Sequence, residues 1–181
     1  MRPSALLLAA AAVLLPSVLA VAPAGARSNR NAAEHSADSA APHAIGRFDD
    51  WTAATHLEGT QTVCYAFTRA VHSSPALPGR GDVVLTVTER PSGRDAVAML
   101  AGFPYPASAE VTMTVDTTAL SFYTAQRSAF ARENAAAVAA FRNGRQAIAR
   151  SPGPRGMQVV DTFSLRGFNE AHKAILKACP R

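Results

Sequence analysis

The sequence predicts a mainly β fold: an antiparallel β-sandwich or barrel-like sheet with one mid-chain and one C-terminal α-helix. Three observations carry this. Short runs of alternating or β-branched residues recur every eight to twelve positions, separated by Gly, Pro, Asp and Ser turn signals. A helical period replaces the strand period only twice, at Ala129–Asn143 and after Gly167. Regular alternation of strand and helix is missing, which disfavours a doubly wound parallel sheet.

The elements follow in order. Trp51–His56 reads as a first strand, closed by a turn at Glu58-Gly59. Gln61–Arg69 alternates Val63, Tyr65 and Phe67 with Cys64, Ala66 and Thr68, the mark of a half-buried strand. His72–Arg80, with Pro75, Pro78 and Gly79, reads as a surface loop. Asp82–Glu89 is dense in β-branched residues, and Arg90–Gly93 turns it into Asp95–Leu100. Gly102–Pro106 is extended, because each proline disfavours helix in the residue before it. Glu110–Val115 and Ala119–Thr124 form a second hairpin around Asp116.

Ala129–Asn143 then reads as a helix of good helix formers, with Phe130, Ala137, Val138 and Phe141 on one face and Gly144 at its stop. Arg145–Arg150 and Met157–Ser164 are the last strands, joined by a Pro/Gly turn. Gly167 breaks the final strand. Asn169 is placed as N-cap of a terminal helix, with Glu170 in its first turn. Phe168, Ala171, Ile175 and Cys179 share one face of it. The total is about eight strands and two helices, and a domain of this length buries a sufficient core.

The N-terminus has a different character. Arg2 precedes an unbroken apolar run from Ala5 to Leu15, and small residues follow Pro16-Ser17. This charged, apolar, small order is that of a secretory signal peptide, assigned to residues 1–26, with cleavage sites after Ala22 and Ala26. The run is too short for a membrane-spanning helix, which needs roughly 20 apolar residues, so the mature form is expected to carry no transmembrane segment. Residues 27–46, rich in Ala, Ser, His and Asn, read as a flexible linker containing His35 and His43, and residues 47–181 form the domain. A periplasmic or secreted location is expected.

The chain carries a net charge of +5, and losing Arg2 with the leader leaves +4. That is a mildly basic surface, without the dense cationic clustering of a nucleic-acid binder. Only two cysteines occur, Cys64 and Cys179; an even count in an exported chain predicts one disulfide between them.

Trp51, Cys64-Tyr65-Ala66, Arg90-Pro91, Gly102-Phe103-Pro104-Tyr105, Arg155-Gly156, Asp161–Phe168 (DTFSLRGF) and Ala178-Cys179-Pro180 stand in an order that resembles the invasion-associated locus B family. Phe122-Tyr123-Thr124, Ala129-Phe130-Ala131 and Arg142-Asn143-Gly144 resemble its middle section. The likeness covers roughly residues 47–181, and DTFSLRGF with the terminal ACP is its most specific part. It implies a small exported protein of Gram-negative bacteria, whose founding members are associated with entry of pathogens into host cells. It implies no established enzymatic activity and supplies no catalytic residues. Members of the family often have a further cysteine shortly after the tryptophan; here Ala53, Ala54 and Thr55 occupy that neighbourhood.

The residues themselves point to little chemistry. No G-x-S-x-G, H-E-x-x-H or glycine-rich phosphate loop is present, so no cofactor is expected. His56, His72 and His172 are isolated in sequence; a hydrolase would need one of them beside Ser121 or Ser164, and a metal site would need them gathered. Asp161, Arg166 and Gly167 flank the end of the last strand, as a polar recognition site or, preferably, as a structural turn into the helix. The expected activity is non-enzymatic binding to a protein or cell-envelope component.

Overall fold

The computed structural model describes residues 41–181; the leader at 1–26 and most of the assigned linker lie outside the described residues. The strands are β1 (His43–Phe48), β2 (Trp51–Glu58), β3 (Gln61–Arg69), β4 (His72–Ser74), β5 (Val84–Arg90), β6 (Gly93–Leu100), β7 (Glu110–Val115), β8 (Thr118–Ala125) and β9 (Ser128–Ala131). Helix α1 (Asn134–Asn143) follows, then β10 (Gln146–Pro152), a short 3-10 turn at Pro154–Gly156, β11 (Gln158–Ser164) and helix α2 (Phe168–Ala178).

All the strands belong to one antiparallel sheet, in the order β1-β2-β3-β5-β6-β9-β8-β7-β10-β11-β4. The two ends of that order are joined by the chain itself. β4 follows β3 after only Ala70 and Val71, yet it pairs with β11 at the far end. Ala70 N–H donates to Val83 O at 3.0 Å and Val71 N–H to Thr162 O at 2.8 Å, so this one segment bonds to both sides. The sheet therefore curls into a barrel-like form, the second of the two expected architectures.

Side-chain alternation puts one row of each strand inside. In β3 the small row, Cys64, Ala66 and Thr68, faces the core, while Tyr65 and Phe67 stack outside and stay half-buried. Leu85 and Val87 of β5, Val97 and Met99 of β6, Met113 of β7, Phe122 of β8 and Phe163 of β11 complete the interior. Helix α2 lies against β1, β2, β3 and β5 and drives Phe168 between Trp51 and Phe141, with ring centroids 4.9 and 5.5 Å away. Helix α1 buries Ala137, Val138 and Phe141, the expected face.

Four expectations are corrected. The helix assigned to Ala129–Asn143 begins at Asn134, because Ser128–Ala131 form β9 between β6 and β8. Two open strand edges there satisfy the backbone, and that outweighs the helix propensity of alanine. Phe130 consequently stacks outside on Tyr123 at 5.4 Å and takes no part in the helix. Residues His43–Gly46, assigned to the linker, are in β1 and pair with β2. His72–Ser74, assigned to a loop, are in β4. Asn169 is not the N-cap of α2: Gly167 holds that position at φ 87°, and Asn169 Nδ2 donates to Arg142 O at 3.0 Å.

Candidate functional site

Cys64 and Cys179 form a disulfide with Cα atoms 6.0 Å apart, across 115 residues of chain. Cys64 is on the inward row of β3, and Cys179 caps the C-terminus of α2. The bond closes one end of the barrel by tying the terminal helix to the sheet.

Asp161, Arg166 and Gly167, adjacent in sequence, separate into two places. Arg166 and Gly167 make the turn into α2, and that turn is fastened to the β1–β2 turn. Trp51 Nε1 donates to Ser164 O at 2.9 Å, Ser164 Oγ to Asp50 Oδ2 at 2.7 Å, and Asp50 N–H to Arg166 O at 3.3 Å. Arg166 is exposed, its Nε 3.5 Å from Asp50 and 3.8 Å from Asp49. A Cβ on Gly167 would overlap Phe48 O and come 2.6 Å from its carbonyl carbon. This part is a structural turn.

Asp161 is different. The inward phase of β11 buries it completely, and Arg80 grips it with two bonds of 2.8 Å, in the bidentate geometry that suits guanidinium and carboxylate. Ser73 Oγ adds a third bond at 2.6 Å. Arg80 Nε donates to Ala101 O at 2.7 Å, and its guanidinium lies 4.9 Å from the Phe103 ring centre. Nearby, Tyr105 OH meets Ser151 Oγ at 3.4 Å, and burial pushes the Tyr105 pKa up. Above this pair opens a cleft of about 500 Å³, lined by Leu77, Arg80, Phe103, Arg127, Arg155 and Met157 among others. Parts of segments that carry the family resemblance, Gly102-Phe103-Pro104 and Arg155, line this cleft from distant parts of the chain, and Asp161 holds Arg80 beneath it.

The histidines are not brought to Ser121 or Ser164. His56 pairs with Glu58 at 3.2 Å near the surface, and His72 is exposed on β4. Ser121 is exposed on β8, and Ser164 is bonded to Asp50. His172, on the inward face of α2, is buried in the opposite end of the barrel from Asp161. Its Nε2 lies 2.7 Å from Asp95 Oδ1 and 3.6 Å from Glu89 Oε1; its Nδ1 lies 3.1 Å from Arg142. A guanidinium only donates, so Nδ1 is the acceptor and the ring proton sits on Nε2, facing Asp95. Burial, with Arg142 and Arg94 nearby, lowers the His172 pKa against the pull of Asp95. Burial and the Asp95 charge raise the Glu89 pKa to about 7.

Glu89, Asp95 and His172 present ligand atoms within 4.8 Å of one another, the grouping of a small cation site. The surrounding charges disagree with that use. Arg94 Nε stands 2.6 Å from Glu89 Oε2, out of line for a hydrogen bond, and Arg142 occupies the second nitrogen of the ring. A metal at Nε2 would displace the proton shared with Asp95 and add a cation beside two others. The arrangement fits a charge-balanced clamp that joins β5, β6, α1 and α2.

Reading the sequence missed Arg80, Glu89 and Asp95. Glu89 had a signal: in DVVLTVTE it continues the inward row of Leu85 and Val87. Arg80 had none, sitting between two glycines in an aperiodic loop.

No curated protein matches the chain. The crystal structure of invasion associated protein b from Bartonella henselae superposes with a TM-score of 0.56 at 16% identity, covering 75% of this chain and 98% of that one, a likeness of fold. The family model described as invasion associated locus B protein matches residues 51–176, which span the sheet from β2 through most of α2. The chain belongs to the invasion associated locus B family.

Proposed function

We propose that the chain is an exported, non-catalytic binding protein that acts in the periplasm or outside the cell, on a protein or envelope component. One observation carries this reading. The buried histidine is bonded into a clamp of carboxylates and guanidinia, while the open cleft at the other end is walled by apolar and cationic side chains suited to holding a ligand. The apolar leader and the Cys64–Cys179 bond support export, since such bonds persist in oxidising compartments. In relatives from pathogens, the same outward contact would serve host-cell entry.

Fractionation of intact cells, with crosslinking before lysis, tests the reading. The protein is expected in the periplasm or medium, trimmed after Ala22 or Ala26, with no free thiol and with a saturable crosslinked envelope partner. Full-length protein in the cytosol with two free thiols would overturn it. So would a hydrolytic activity lost on His172→Gln in a variant that stays folded.

A further inference from the structure

The open cleft above the Arg80–Asp161 pair has unbalanced charge. Arg80 forms part of its floor, but Asp161 already neutralises it. Arg127 and Arg155 also line the cleft, and among the described residues neither has a carboxylate within ion-pair distance. Two uncompensated guanidinia around one cleft leave a positive potential that a ligand anion relieves.

The Arg127 side chain is held by a hydrogen bond, and Arg155 is placed by the backbone of its turn, where Gly153 N–H donates to Met157 O at 2.7 Å. Arg127 is in the β8–β9 turn, and its Nη2 donates to Gly102 O at 2.6 Å, leaving its other N–H groups unused by that bond. Its own backbone accepts from Ala101 N–H at 2.9 Å, and Tyr105 N–H donates to Gln126 O at 2.8 Å. The turn and the 101–105 segment are thus one unit. Arg155 projects from the turn after β10, where its backbone adopts φ 57° between Pro154 and Gly156. Pro78, Pro104 and Pro154 stand around the rim, and their fixed φ lowers the ordering cost of binding.

The remaining walls are apolar: Leu77, Phe103 and Met157. A volume of about 500 Å³ falls within the range of small-molecule sites. We infer that this cleft binds an organic carboxylate with a compact apolar body, the acid group paired with Arg127 and Arg155 and the body against Leu77, Phe103 and Met157. The inference rests on the binding-protein reading above and names its ligand chemistry. Such a carboxylate is presented either by a free acid or by an acidic side chain beside an apolar one in a peptide.

The test is an amide-resolved NMR titration of the full mature, oxidised chain. The probes are 4-phenylbutyrate, its uncharged amide 4-phenylbutyramide, and the dipeptide Phe-Glu acetylated at its N-terminus and amidated at its C-terminus. Saturable shifts are expected at the amides of Leu77, Gly79–Gly81, Gly102, Phe103, Arg127, Gly153 and Arg155–Met157, with the amide probe at least tenfold weaker than the acid. The double variant Arg127→Gln/Arg155→Gln should lose tenfold or more in carboxylate affinity, keep its affinity for the amide, and keep an unchanged spectrum elsewhere. Binding of the dipeptide alone supports the peptide-borne source, and binding of both acids supports the shared chemistry. Equal affinity for acid and amide, shifts outside the cleft, indifference to the double variant, or no binding by any probe overturns the inference. If the double variant still captures its envelope partner in intact cells, the cleft inference falls while the binding-protein reading stands.

Discussion

Removing the Cys64–Cys179 bond should cost a large part of the domain's stability. The bond closes a loop spanning 115 residues of sequence. In the chain-entropy treatment a loop of that length restricts the unfolded state by about 4.8 kcal/mol at 25 °C. Both helices and every strand after β3 lie inside the loop, so the restriction acts on most of the domain. The double variant Cys64→Ala/Cys179→Ala also removes two sulfurs, and Cys64 is fully buried, so about 1 kcal/mol of packing loss adds to the entropic part. The assay is urea unfolding of three species: oxidised wild type, wild type kept reduced, and the double variant. The reduced form isolates the crosslink, and a loss of roughly 3–5 kcal/mol is expected for it. Its m-value should also rise, since an unlinked chain exposes more surface when unfolded. A loss below about 1 kcal/mol with an unchanged m-value would refute the argument that the bond acts through the unfolded chain.

Three further outcomes follow from the same contacts. Gly167→Ala places a Cβ against the Phe48 carbonyl at a residue with φ 87°; the left-handed backbone alone costs about 1–2 kcal/mol, and the clash adds to it, read as a lowered urea midpoint with α2 fraying in hydrogen exchange. Asp161→Ala strands the Arg80 guanidinium in a buried site and should cost about 3–5 kcal/mol; Arg80→Met with Asp161→Leu should cost less than either single change, and equal or greater loss in the double variant would contradict the pairing. The third outcome concerns pH. Glu89, raised to about 7, holds its proton in the folded state and favours folding as pH falls from 7 towards 4.5, whereas His172, lowered below 6.5, is protonated only on unfolding and opposes it. The two oppose each other just below pH 6.5 in the wild type, so Glu89→Gln, which removes the stabilising one, should steepen the loss of stability on acidification below 6.5, and a slope equal to the wild type's would refute the linkage.

The sheet was legible because its strands alternate cleanly. Gln61–Arg69 and Glu110–Val115 were bounded to the residue by their period of two. The strands that escaped have no such pattern. β4 is three polar residues held only by β11, β9 is four residues that run on into an alanine-rich stretch of good helix formers, and β1 is mostly exposed. The disulfide could be read because the chain has only two cysteines. The buried charge pairs were hidden because their partners are widely separated: Arg80 and Asp161 by 81 residues, Asp95 and His172 by 77. Sequence spacing says nothing about which inward-facing polar groups meet across a closed sheet. Splitting Asp161 from Arg166 and Gly167 has the same origin, since alternation along β11 turns Asp161 inward and the strand's end carries the other two out to the turn.

In the exported chain proposed above, threaded N-terminus first through a membrane, the partners that complete the buried pairs would arrive last. Cys64, Arg80 and the Glu89–Asp95 carboxylates emerge early, but what each of them waits for is Cys179, Asp161 and His172, all in the last 21 residues. Until those arrive, the early segment holds an unpaired Arg80, two carboxylates with Arg94 beside only one of them, and a lone thiol, none of which favours burial. On that reading maturation would be gated by arrival of the tail: a truncated passenger would stay open to proteases, and covalent closure would report that translocation has finished.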